Sequence, residues 1–174
     1  MEKFDLYDVN RKPLETTMVR GSHQPPNTFR LVVHVCIFSN DGKMLCQRRQ
    51  PFKDDWSGMW DVSVGGSVVC GENSEQGARR ETLEELGLSL PTTLIPSLTV
   101  TFGGGFDDYY CVTMDVEESS CHLQPEEVAE VKWFSLEEIL HKIRCGSFIP
   151  YDENLIRLLF FFRNHKGSHT CNKK

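Results

Sequence analysis

The chain has 174 residues, enough for one core of ordinary size, with 39% hydrophobic and 25% charged residues, the balance of a soluble globule. Its formal net charge of −6 argues against nonspecific affinity for nucleic acid or anionic lipid. No apolar run suits a membrane span (158–162 is far too short), and the start Met-Glu-Lys-Phe-Asp-Leu lacks a signal-peptide core, so a cytoplasmic location is expected.

Read in chain order, residues 3–9 predict a strand, 10–13 a turn, and 16–19 a returning strand. Residues 21–27 hold two prolines and read as a loop. The apolar, β-branched run 31–38 predicts a buried strand. Asn40-Asp41-Gly42 is a hairpin turn signal, so 43–48 return beside it. Residues 51–59 are loop, and 60–64 a short strand. Helix formers fill 75–86, with Asn73 or Ser74 as the cap and Gly87 where a left-handed C-cap is needed. Next come a strand at 93–102, a break at Gly103-Gly104-Gly105, and a strand at 109–116. A polar loop at 117–127 leads to a short strand at 130–134. Ser135 caps a helix to about 145, and 151–164 has the spacing of a final helix. Residues 1–164 thus read as one domain and 165–174 as a frayed tail.

The cysteines, at 36, 46, 70, 111, 121, 145 and 171, are odd in number and form no Cys-x-x-Cys pair. A reducing compartment without a zinc site follows. Cys70 lies in the loop before the central helix and reads as loop packing before a reactive thiol. His34, inside an apolar strand, reads as a satisfied core histidine; Phe106, Tyr109 and Tyr110 read as core rather than as platforms for a base.

The chemistry concentrates in the central helix. Glu81, Glu84 and Glu85 stand at i, i+3 and i+4, on one helical face. Three such carboxylates repel unless a cation sits among them, and oxygen-only donors select Mg²⁺ or Mn²⁺ over zinc. Magnesium is commonly shared with substrate phosphates, so phosphate-ester chemistry is the first inference. Gly65-Gly66 lets a backbone carbonyl approach a metal closely. Glu72 and Arg80 can pair across the loop and hold it to the helix.

Gly66, Glu72, Arg80, Glu81, Glu84, Glu85 and Gly87 match all seven fixed positions of the Nudix box, and the chain resembles the Nudix hydrolases on these residues. Thr82, at an aliphatic position, is a mild departure, and Leu88 meets the closing aliphatic requirement. A chance match is roughly 7% per position and roughly 10⁻⁸ for seven, which separates the match from an ordinary acidic helix face. The resemblance implies an α/β/α sandwich with a mixed β-sheet, the box spanning 66–88, and a metal held by Glu81, Glu84, Glu85 and the Gly66 carbonyl. It implies hydrolysis of nucleoside diphosphates linked to another moiety, with Arg80, Glu81, Glu84 and Glu85 as the catalytic set. Glu81 is the first choice of base, ahead of Asp107, Glu126 and Glu127; Glu72 is a further candidate site residue.

Outside the box, residues 42–53 and 56–66 look like the isopentenyl-diphosphate isomerase-like group. There the positions matching Arg49 and Lys53 contact the diphosphate, which two cations beside a metal suit chemically. The catalytic cysteine of the isomerases aligns with Val64 and their facing glutamate falls near Tyr109, so the acid and base of an allylic proton shift are missing. The expectation is a Mg²⁺-dependent (or Mn²⁺-dependent) hydrolase of a small-molecule diphosphate on an isomerase-like frame, monomeric or homodimeric, without membrane or nucleic-acid partners. The alternatives are isomerase activity, decided by deuterium incorporation from D₂O, and a non-catalytic nucleotide-binding module, decided by tight binding without turnover. Asp107 and Asp108, after three glycines, read as an acidic loop over the pocket or a hairpin tip, and Glu126-Glu127 as a solvated turn before metal ligands in the substrate complex.

Overall fold

A computed structural model of the chain describes residues 1–165 and Gly167. In chain order the strands and helices are β1 (Lys3–Tyr7), β2 (Pro13–Val19), β3 (Arg30–Phe38), β4 (Met44–Arg49), β5 (Trp60–Asp61), β6 (Val64–Ser67), α1 (Ser74–Leu86), β7 (Leu98–Phe102), β8 (Gly105–Thr113), β9 (Val128–Phe134), α2 (Leu136–Arg144) and α3 (Glu153–Phe162). A short 3₁₀ turn at Glu118–Ser120 lies in the polar loop.

β3 is the centre of the molecule because its run is apolar on both faces. Leu31, Val33, Val35 and Ile37 point to one core with Ala78 and Leu86 of α1. Cys36 and Phe38 point to the other, with Ile139, Leu140, Ile156 and Leu159 of α2 and α3. One mixed sheet therefore lies between α1 and the α2–α3 pair. Its path is β5-β4-β3-β8-β7, with β6 also on β3 and β9 also on β4. β3 and β8 run parallel from Arg30↔Gly105 to Phe38↔Thr113, and the other pairs are antiparallel. β1 and β2 form a separate hairpin around Phe4, Leu6 and Met18.

Three predicted elements differ from the structure in pairing or by more than three residues at one end. The strand at 60–64 is two strands with different partners, β5 on β4 and β6 on β3. Ser63 divides them: its hydroxyl accepts from Ile37 N (2.8 Å) and donates to Leu45 O, taking the place of ladder bonds between β3 and β4. Those two strands pair only at Phe38↔Met44, and β6 occupies the rest of that edge of β3. The strand at 93–102 begins only at Leu98, since Pro91 and Pro96 break the ladder before it. The strand at 109–116 starts four residues earlier: β7 turns directly into β8, pairing Phe102 with Gly105. A Cβ at Gly105 would overlap Arg30 O, so the close approach of β3 demands glycine. Asp107 and Asp108 accordingly lie within β8 and not in a loop or at a hairpin tip.

Candidate active site

The helix that carries the acidic side chains is fixed at both ends. Asn73 accepts from Gln76 N while the Gln76 side chain accepts from Asn73 N, a reciprocal capping box. Gly87 ends the helix at φ 68°, a left-handed conformation that glycine takes without strain. Thr82 suits its buried position by donating its hydroxyl to Ala78 O at 2.7 Å.

α1 buries Glu81 and Glu85 against the sheet and leaves the Glu84 side chain half-exposed. Arg80 stands among these acids. It bonds Glu72 (2.9 and 3.1 Å), Ser67 O (3.0 Å), Glu81 (2.9 Å) and Glu84 (3.0 Å). The loop from β6 is thereby clamped to α1. Burial opposes the Arg80 charge, but Glu72 and Glu81 outweigh it and hold the guanidinium protonated. The box carboxylates do not close on one point: among the described residues no three His, Cys, Asp or Glu side chains form a ligating cluster. Arg80 serves as counter-charge to Glu81 and Glu84.

Glu85 is the least compensated of the acids. Its one side-chain partner is Gln47, whose amide donates at 3.0 Å. Burial, reinforced by Glu81, pushes its carboxyl up to about 8. Burial also raises Glu81, against the pull of Arg80. A buried acid so perturbed calls for a neighbouring cation. At Gly66 a Cβ would overlap the Glu81 carboxylate, so the bare backbone of β6 and the acid share space that a side chain would fill.

Opposite these acids stand the cations of the loop after β4. Arg49, Lys53, Gly66, Glu81, Glu84 and Glu85 line one cavity of about 180 Å³. Lys53 is held ready by Glu127 at 2.8 Å, and Glu127 lines the same cavity. Arg49 donates to Asp55 O at 3.2 Å, which fixes its loop. Glu72 lies behind the wall, in the Arg80 clamp. Glu126 is exposed on the neighbouring turn and does not line the cavity. Asp107 lies outside it too, 3.7 Å from His34, because β8 directs it to the sheet face away from α1.

Four lining or supporting residues are not singled out by the sequence analysis. Gln47 is buried, a glutamine at the end of an apolar strand run, which is the sort of pattern that flags a polar partner. Gln124 lines the cavity and ties its loop to the helix through Gln124 N to Glu85 O (3.0 Å). Glu2 and Arg20, paired at 2.7 Å, reach the cavity from the β1–β2 hairpin. Sequence spacing gives no hint that residues so distant from the box would meet it.

Other sequence readings change. His34 is no satisfied core residue: its Nδ1 is buried without a hydrogen-bond partner. Asp108 is buried and anchored, accepting from Arg11 (2.9 Å at Oδ1), Ser74 and Thr99. Phe106, Tyr109 and Tyr110 are core. Cys70 donates to Asp5 at 3.0 Å, and that bond pushes its thiol up, away from reactivity. His169 and Cys171, both in the tail at 165–174, lie outside the described residues.

A mixed sheet between α1 and the α2–α3 pair, with an acid-bearing helix facing a cationic loop, defines an α/β sandwich protein with a polar site of both charges. The family model for the NUDIX domain matches residues 28–156. The chain belongs to the Nudix hydrolase family, whose members act on the pyrophosphate bond of diphosphate-containing substrates and generally use divalent metals such as Mg²⁺. It is similar to an uncharacterized Nudix hydrolase, lin0387, of Listeria innocua, with 43% identity over 97% of this chain and 99% of that protein. Nudix hydrolase 3 of Arabidopsis thaliana is 30% identical over 88% of this chain and 22% of that longer protein. Among solved structures, DR0079 of Deinococcus radiodurans superposes with a TM-score of 0.75 at 25% identity, covering 91% of this chain and 99% of that one. The NUDIX domain of Shewanella oneidensis NrtR, solved with ADP ribose, shares the fold at a TM-score of 0.56 and 21% identity over 82% of this chain and 89% of that one.

Proposed function

We propose that this protein is a Mg²⁺-dependent diphosphohydrolase, with Mn²⁺ as a substitute, cutting the diphosphate linkage of a nucleoside diphosphate-type or other organic diphosphate by attack of water on phosphorus. The observation that carries the reading is that Glu81, Glu84 and Glu85 share one small cavity with Arg49 and Lys53. Cations and acids facing each other across such a space suit an anion together with a divalent ion. The donor set fits a hard cation: it offers oxygen only, includes a buried acid with no cationic partner, and lies beside the side-chain-free backbone of Gly66. Glu81, Glu84, Glu85 and the Gly66 carbonyl would hold the ion. Once bound, it neutralises phosphate charge and lowers the pKa of water.

The chain's own residues supply the rest. Arg49 and Lys53 bind phosphoryl oxygens and stabilise the charge of the leaving phosphate, with Lys53 exchanging Glu127 for the ligand. Glu81 accepts the proton of the attacking water. Glu127, the other acid on the cavity wall, is the second candidate for that role; Glu126 and Asp107 stand outside. Arg80 keeps the Glu72 loop on the helix, and Gln47 orients Glu85. The frame is read as isopentenyl-diphosphate isomerase-like in form only. Val64 is a buried core residue without chemistry and Tyr109 is buried beneath His34, so neither serves an alkene with acid or base.

A panel of nucleoside diphosphates, nucleotide sugars including ADP-ribose, dinucleotides and prenyl diphosphates with Mg²⁺ or Mn²⁺ tests the reading through released phosphate and product identity. Glu85→Gln is expected to keep the fold and lose about 100-fold or more in turnover. An undiminished rate in that variant would end the proposal.

A further inference from the structure

Another cavity opens at the β7 edge of the sheet. β7 pairs with β8 only from Leu98↔Tyr109 onward. Ser97 makes the last ties, its N–H donating to Tyr109 O (2.7 Å) and its hydroxyl accepting from Cys111 N (3.3 Å). Pro96, without an N–H for the ladder, keeps the preceding chain away. The edge of β8 at Cys111 and Val112 is left bordering a cavity of about 340 Å³, closed on its other side by the end of α3. Pockets that hold small organic ligands measure roughly 300–1,000 Å³. Leu94, Ile95, Pro96, Val112 and Phe162 give it apolar walls, and Ile95 is left 71% exposed. Arg163 gives the one permanent charge, and no Asp or Glu lines the cavity among the described residues. His165, the other basic group there, is tied back to α3: its Nδ1 donates to Phe161 O (3.2 Å) and its ring stacks on Phe161. Seven of the ten arginines pair with a carboxylate, and Arg30, Arg49 and Arg163 have no such partner among the described residues. Arg49 lines the phosphate cavity and Arg163 lines this one. Arg163 Nη1 donates to Gly42 O at 2.9 Å, which leaves other donors of the fork for a ligand.

We propose that this cavity is a second ligand site, and that it takes an amphipathic anion: a carboxylate at Arg163 on a short hydrocarbon body lying along Leu94, Ile95 and Phe162. A guanidinium with no acid beside it attracts an anion and repels a cation. One guanidinium balances one negative charge, which suits a carboxylate better than a phosphate. The apolar walls reward a hydrocarbon body in proportion to the area it covers. A small ion without that body gains only a charge contact open to water, which is worth little. The lack of lining carboxylates leaves nothing to hold a divalent ion, so a metal-bound diphosphate has no place here. No residue lines both cavities, so the two sites are separate.

Calorimetry on the full chain with octanoate, octylamine and acetate tests this. Octanoate is expected to bind about tenfold or more tighter than either other probe, and equally well with Mg²⁺ and imidodiphosphate present. Arg163→Gln should weaken octanoate about tenfold, and Arg163→Lys should restore part of that loss. Thr93, exposed and on the cavity wall, offers a variant that does not disturb the Gly42 contact. Thr93→Trp should fill the cavity and abolish octanoate binding while keeping the melting temperature, so the test stands even if Arg163→Gln fails to fold. No binding of octanoate to wild-type protein would overturn the inference. So would octylamine or acetate binding as tightly, displacement of octanoate by imidodiphosphate, or undiminished binding in Thr93→Trp.

Discussion

Glu85 shows how one side chain couples the fold to the chemistry. Its carboxyl is raised from the usual 4.5 to about 8, first by burial and then by Glu81, with the Gln47 bond opposing. An acid raised in the folded state favours its neutral form there. Its contribution to stability is whole below pH 4.5, is lost as the pH climbs towards 8, and changes no further above that. Metal-free protein should therefore lose on the order of 4 kcal/mol between pH 4.5 and 8. Denaturant unfolding in chelator reads this directly. Glu85→Gln should flatten the profile, and a divalent ion, by favouring the charged form, should restore stability at the alkaline end. Gly66 makes the complementary point. The glycine of the box was visible as a letter, but the carboxylate occupying its missing side chain is visible only in space.

At the level of elements, Ser63 decides the architecture of the site. One hydroxyl bonds both β3 and β4 where their ladder lapses, and the chain leaves β5 to join β6. The Gly65-Gly66 backbone is set opposite α1 by that switch. Removing the hydroxyl strands the buried Ile37 N–H. Ser63→Ala should cost about 1–3 kcal/mol, read by urea denaturation, and should lower activity by loosening β6. Unchanged stability would show that backbone relaxation re-pairs the two strands. Legibility from sequence varied by element for a related reason. α1 is readable to within a residue, since Gly87 acts locally at its end; its start is read at 75 with the cap open between Asn73 and Ser74, and the structure starts it at Ser74 with Asn73 as the cap. The 60–64 run reads as one strand, because a two-residue crossing between partners has no periodicity to detect. The β7 and β8 boundaries moved because proline and a glycine hairpin, not hydrophobicity, set their ends.

Taken whole, the molecule gathers its cavity from segments far apart: the β1–β2 hairpin, the loop after β4, β6, α1 and the loop before β9. The hairpin is fixed by Arg11 on Asp108 and by Asp5 on Cys70 and Gly71 N. A ligand joining these walls should stabilise the entire fold by mass action. Mg²⁺ with imidodiphosphate at 100 times its Kd should add about 2.7 kcal/mol, read as a rise in Tm by calorimetry. Neither component alone should match that rise, because the acids and the cations answer to different halves of the complex. No rise at any concentration would count against a shared site.

The family, the acid-bearing helix, and Arg49 and Lys53 as candidate phosphate contacts are legible in the sequence, because they reside in short motifs whose spacing is fixed by local geometry. It takes the folded chain to show that Arg80 reaches Glu81 and Glu84 as well as Glu72, that Gln47 holds Glu85, that Glu2 and Arg20 reach the cavity, and that His34 Nδ1 is buried without a partner. Those relations depend on strand pairing and on which face of the sheet each residue takes, and a parallel crossover between β3 and β8 leaves no trace in the spacing of either strand.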